Sequence, residues 1–204
     1  MKIFLFKKWI VVLLCVILLI LEGCAASTQK SQFFVLTSIS KNSAEKLQPP
    51  SGKLSIGVGP FEFPSYLNRP NIINRVGANQ VQLSEFHRWA EPIEENFSRV
   101  LAENLSTLLS TDQVSVFPWK GTLPIGFQVT MSVTKFHGEL GGDSVLECRW
   151  AIFRNYGKEV LMMKKSSFKE VSKGQDYEAL VSVMNKNLEK LSVEIAKAIK
   201  TLKS

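Results

Sequence analysis

The sequence is poor in the residues that build reactive sites. Its 204 residues include two histidines, three cysteines, eight prolines and twelve glycines. Three cysteines exclude a small scaffold held by many disulfides. His87 and His137 stand fifty positions apart, and neither has a cysteine, histidine or carboxylate partner at the spacing a metal site uses. There is no glycine-rich phosphate loop and no nucleophile elbow. Internal repeats and low-complexity tracts are absent, and no apolar run reaches the roughly 20 residues that a spanning helix needs. Neither an enzyme nor a cofactor is expected. Basic residues are dispersed and aromatic residues fall on apolar faces, so nucleic-acid binding is not expected either. What remains is ordinary for one globular domain, with 45% hydrophobic and 21% charged residues and a net charge of +7.

The first residues are a targeting segment. Lys2, Lys7 and Lys8 precede an uncharged apolar run from Trp9 to Leu21, the length of a secretory h-region. Leu21-Glu22-Gly23-Cys24 follows and resembles the lipobox of bacterial lipoproteins, with Glu22 where a small uncharged residue is usual. Residues 1–23 are therefore expected to be a signal peptide, Cys24 the lipidated first residue, 24–31 a tether, and 32–204 the domain. The alternative is an uncut signal anchor. More than one acyl chain is what makes membrane attachment firm. Cleavage leaves 181 of the 204 residues and, by removing three lysines and one glutamate, lowers the charge from +7 to +5. Ala25, rather than aspartate, follows the cysteine, which by resemblance to lipoprotein sorting favours the outer membrane. Cys148 is then the remaining thiol, and its place in an alternating strand points to burial.

Periodicity predicts an α+β domain, a mostly antiparallel sheet covered by two amphipathic helices. Strands are expected at Gln32–Thr37, at Lys53–Val58 ending before Gly59-Pro60, and in a hairpin of Ile72–Val76 with Gln80–Leu83. Ser38–Ser51, with Pro49-Pro50, reads as a loop. Glu91–Ser110 carries one apolar stripe from Ile93 to Leu109, with Glu91, Glu94 and Glu95 at its start. After a short strand at Val114–Phe117, the segments Ile125–Thr134, Val145–Arg154 and Glu159–Phe168 predict an antiparallel meander. Asp176–Leu202 has apolar residues stepping by four and three, which fits a helix laid on the sheet or a coiled coil. His137 falls at a strand end near Glu139 and Asp143, where a solvated loop is expected.

The unusual stretch is Pro64–Pro92. Tyr66, Arg69, Arg75, Arg88 and Trp89 lie there in predicted turns and a short hairpin, and these residue types dominate interface hot spots. The plainer alternative packs Trp89 under the first helix and pairs Arg88 with Glu85 or Glu91. Pro64, Tyr66-Leu67, Arg69-Pro70, Ile72, Arg75, Asn79 and Arg88-Trp89-Ala90-Glu91-Pro92 ahead of an amphipathic helix resemble the ABC-type transport auxiliary lipoproteins. That is the family of the Pqi (paraquat-inducible) system's small lipoprotein; Asn68 stands where it often has aspartate. The resemblance covers nearly the whole mature chain. It implies a compact α/β domain and a non-catalytic role in lipid transport, with the domain anchored by its lipid to the inner leaflet of the outer membrane and facing the periplasm. It also implies a PqiB-like MCE-domain periplasmic protein as partner and allows a homo-oligomer. A periplasmic lipid carrier and a plain structural envelope lipoprotein are the alternatives.

Overall fold

The protein is described by a computed structural model, which defines residues 29–40, 54–119 and 124–203 together with Trp9. The signal segment, Cys24, most of the tether and the Pro49-Pro50 loop lie outside the described residues. Contacts divide the chain into Met1–Lys30 and Ser31–Ser204, and the second unit is the one built here.

Among the described residues of this unit, eight strands form a single sheet. In chain order they are β1 (Gln32–Phe34), β2 (Ile56–Glu62), β3 (Asn71–Arg75), β4 (Val81–Trp89), helix α1 (Ile93–Leu109), β5 (Val114–Val116), β6 (Phe127–Gly138), β7 (Asp143–Arg154), β8 (Glu159–Val171) and helix α2 (Tyr177–Lys203). The α+β class stands, but the sheet is mixed rather than mostly antiparallel. β3–β4, β6–β7 and β7–β8 are antiparallel. β1–β4, β2–β5, β2–β6 and β3–β6 are parallel. Antiparallel neighbours join through short local turns, which periodicity reveals. Parallel neighbours need long crossovers, and the β2–β5 pair spans β3, β4 and α1, so no local pattern announces it.

β6 is the hub. β7 runs along one edge of it. The other edge is shared, by β2 over Phe127–Ser132 and by β3 at Gly138. β2 does not stop before Pro60, as the sequence suggests, but runs on to Glu62. The β2–β6 register shifts between Val58 and Phe61. Proline lacks an N–H for the ladder and is tolerated at such a bulge. Gly59 takes φ of 112°, a conformation that favours glycine.

Burial follows the predicted alternation. Phe127, Val129, Met131 and Val133 of β6 and Leu146, Cys148, Trp150 and Ile152 of β7 are all buried. Cys148 is fully enclosed, and burial pushes its thiol up to about 12, so the thiolate needed for reactivity is suppressed. α2 packs on β6–β8, α1 packs on β2 and β5, and the helices touch each other. The periodic stripe of α2 is therefore a sheet-covering face: Leu188, Leu191 and Ile195 have no exposure. None of the described helices is long and apolar enough to cross a membrane.

Candidate functional site

The segment joining β2 to β3 is fixed from within. Pro64 O accepts from Leu67 N at 2.9 Å, and Leu67 O accepts from Arg69 N at 2.8 Å. Leu67 points into the core, Tyr66 packs half-buried against its edge, and Arg69 is exposed. The chain then enters β3, and Trp89 N donates to Pro70 O at 2.7 Å, closing the base of the β3–β4 hairpin.

The predicted residues separate into two groups and one core residue. Tyr66 and Arg75 meet at the junction of β3 with β6. The Tyr66 hydroxyl donates to Thr134 O at 3.4 Å, and its pKa is raised by burial and partly lowered by nearby Arg75. Arg75 donates to Ala78 O, which braces the hairpin turn, and reaches His137 Nε2 at 3.3 Å. Arg69 and Arg88 mark the opposite end of β3. Arg88 is exposed and registered against Asn71, two residues beyond Arg69. Four residue steps along the strand separate Asn71 from Arg75, about 13 Å. Trp89 is only 6% exposed and belongs to the core, which removes it from the candidate partner-binding residues. Glu91 is bound by Arg99 of α1 at 2.5 Å, not by Arg88.

His137 corrects an expectation. It lies inside β6 with 2% exposure rather than in a solvated loop. The register shift between Val133 and Lys135 extends the strand past the point where its alternation breaks down. Its pKa is lowered to about 4 by burial, then by Arg75 and Lys135, against a smaller opposite effect of Glu147. An arginine only donates, so Nε2 accepts and the ring proton sits on Nδ1, which is buried without a partner. The group is a neutral structural imidazole, and its stability effect has a definite sign. Between about pH 6.5 and about 4 the unfolded chain binds the proton and the folded chain does not. The domain is therefore expected to lose on the order of 3 kcal/mol of stability as pH falls through that window. His137→Asn should flatten that limb of a urea-midpoint against pH curve, and parallel curves for both proteins would contradict this assignment.

Sequence reasoning missed a second constellation. The irregular chain at 36–39 has no strand partner for its N–H groups, and asparagines of the two helices supply acceptors. Asn96 Oδ1 takes Leu36 N at 2.6 Å, Asn185 Oδ1 takes Thr37 N at 3.1 Å, and Asn104 Oδ1 takes Ile39 N at 2.9 Å. Asn104 also donates to Ser192 Oγ at 2.9 Å, joining α1 to α2. The available signal was the presence of Asn96 and Asn104, eight residues apart, on the apolar side of a helix where buried polar groups need partners.

Among the described residues, no group of three or more histidine, cysteine, aspartate or glutamate side chains is placed to hold a metal ion. The segment presents two exposed arginines, a half-buried tyrosine and a braced hairpin.

Comparison with known proteins gives consistent results. A family model described as ABC-type transport auxiliary lipoprotein component matches residues 34–196. The intermembrane transport lipoprotein PqiC of Escherichia coli (strain K12) is 24% identical over 196 residues, covering 96% of this chain and 99% of that protein. PqiC of Shigella flexneri matches with the same figures. Among solved structures, protein XCC0632 of Xanthomonas campestris superposes with a TM-score of 0.67 at 12% identity, covering 84% of this chain and 96% of its own. An uncharacterized protein superposes with a TM-score of 0.67 at 18% identity, covering 84% and 99%. These two structures share the fold.

Proposed function

The chain belongs to the family of ABC-type transport auxiliary lipoproteins, and from that premise we propose that it is the lipid-anchored, non-catalytic subunit of a lipid-transport system of the bacterial envelope. In this reading Cys24 carries the lipid, the domain sits on the periplasmic side of the outer membrane, and it docks the component that crosses the periplasm. That component is an MCE-domain protein of the PqiB type. The observation that carries the reading is the end-to-end match to relatives named for intermembrane transport, with 99% of their length covered. The surface supports it, because recognition residues are held on a stiff frame.

The docking surface is assigned to Tyr66, Arg69, Arg75 and Arg88, with Trp89 as the internal support of β4. Arg69 and Arg88 are exposed, so they supply orientation and attraction to an acidic partner surface. Tyr66 and Arg75 are partly buried before any partner arrives, so they shape the surface more than they bind through it. Arg69→Ala is expected to weaken co-purification with the MCE-domain partner by about tenfold while the melting temperature stays within a degree or two, since exposed substitutions change stability little. Quantitative pull-down alongside thermal unfolding checks this, and unchanged recovery of the partner would remove Arg69 from the surface.

A further inference from the structure

The outer face of β6, β7 and β8, turned away from the helices, carries a charge arrangement that the docking surface does not use. Arg149 of β7 and Lys165 of β8 are register partners, directly opposite each other, and both are exposed. Like charges in this position destabilise a sheet. Neighbouring cations on this face are compensated: Lys135 bridges Glu147 at 3.0 Å, and Lys169 bridges Asp143. Lys164, on the other side of β8, bridges Glu194 at 3.3 Å. Arg149 and Lys165 have no ion pair among the described residues. The carboxylate in their row is Glu62, which is registered to Ser132 and so stands two strands, about 9.5 Å, from Arg149.

The next steps along the same face are apolar. Ala151 is paired with Met163 and Phe153 with Val160, and Met163 is 76% exposed while Val160 is 54% exposed. Pro60, Ala151, Phe153 and Met163 line a groove of about 590 Å³ that also contains Arg149, Lys165 and, at its far side, the Glu62 carboxylate; Val160 lies just outside it. Cations at one end and an apolar track running about 13 Å from Arg149 to Phe153, with Met163 exposed, Phe153 partly exposed and Ala151 forming its buried floor, make the footprint of an anionic amphiphile.

We infer that this groove binds an anionic phospholipid, its phosphate between Arg149 and Lys165 and an acyl chain along Ala151, Met163 and Phe153. The phosphate removes the cross-strand repulsion, and the chain covers apolar surface that is otherwise wet. The groove is open, so it holds a lipid against the domain rather than enclosing it. The choice of a lipid over another anionic amphiphile rests on the proposed function.

The test uses the full-length lipoprotein in neutral detergent and phosphatidylglycerol bearing a photoactivatable group on its acyl chain. Cross-links are expected on β7 and β8 around Ala151, Phe153 and Met163. The double variant R149Q/K165Q should reduce them about 10- to 100-fold, the range lost with charge-assisted contacts. Its melting temperature should hold or rise, because a repulsive pair is removed. Cross-links elsewhere, or equal labelling of the double variant, would overturn the groove. So would concentration-dependent self-association abolished by the same substitutions, which would make this face a contact between copies. Recovery of the MCE-domain partner, measured in parallel, is expected to be unaffected by R149Q/K165Q. Its presence with no groove labelling refutes only the groove, and its absence with labelling intact refutes only the docking role.

Discussion

Phe97→Ala is expected to lower the stability of the domain by about 3–5 kcal/mol, the usual effect of emptying a fully buried aromatic site. Phe97 has no exposure, and three rings meet it edge-on: Phe63 at 5.3 Å, Phe136 at 5.2 Å and Phe61 at 6.1 Å between centroids. Each such contact adds roughly 0.5–1.5 kcal/mol beyond area burial. These rings come from α1, from β6, and from the end of β2 with the residue just after it. Phe97 is thus the point where the helix layer holds the segment that goes on to present Tyr66 and Arg69. The substitution should reduce the urea midpoint with little change in slope, and it should expose residues 63–70 to protease before the domain unfolds globally. A loss under 1 kcal/mol would mean that the rings do not form one packed unit.

The second large effect concerns the asparagine clamp. Asn96→Ala and Asn104→Ala each remove the acceptor of a backbone N–H, at a cost of about 1–3 kcal/mol for a buried donor left unpaired. Leu36 is 1% exposed, so its N–H has no ready replacement in water. The Asn96 side-chain amide also donates to Glu91 Oε1 at 2.6 Å, and that contact disappears with the side chain. In the double variant the segment 36–39 should detach from the helices. Native-state hydrogen exchange at the Leu36 and Ile39 amides should then rise to the rate of an unstructured chain, while the β6–β8 core keeps its protection. The consequence reaches function. In the proposed reading, where Cys24 carries the lipid, the twelve residues to Leu36 span at most about 43 Å, and the clamp sets where that leash ends. Unchanged protection at both amides would show that packing, not the asparagines, fixes the segment.

How much of this was legible in the sequence depends on the range of each interaction. The β6–β8 meander was readable because its turns are local and its faces alternate, as was the apolar stripe of each helix. The position of Cys148 in that alternation was enough to predict its burial. The parallel pairings of β2 were not readable, because Val58 meets Val116 and Val129 across loops that hold other elements. Pro60 read as a stop because a bulge cannot be inferred from one strand without its partner. His137 read as solvated because the alternation ends at the Val133–Lys135 shift, beyond which Phe136, His137 and Gly138 are buried one after another. In the candidate site, Tyr66, Arg69, Arg75 and Arg88 were found by residue type in a turn-rich segment. Their division into two groups along β3 was not, since it depends on which end of β3 touches β6.

The central claim is that this domain works as an attached part of a lipid-transport bridge. Affinity purification of the full-length lipoprotein from gently solubilised envelopes, with mass spectrometry of what accompanies it, tests that claim most directly. The account predicts recovery of an MCE-domain protein, diminished by Arg69→Ala. Recovery of the lipoprotein alone, even after cross-linking, would contradict it.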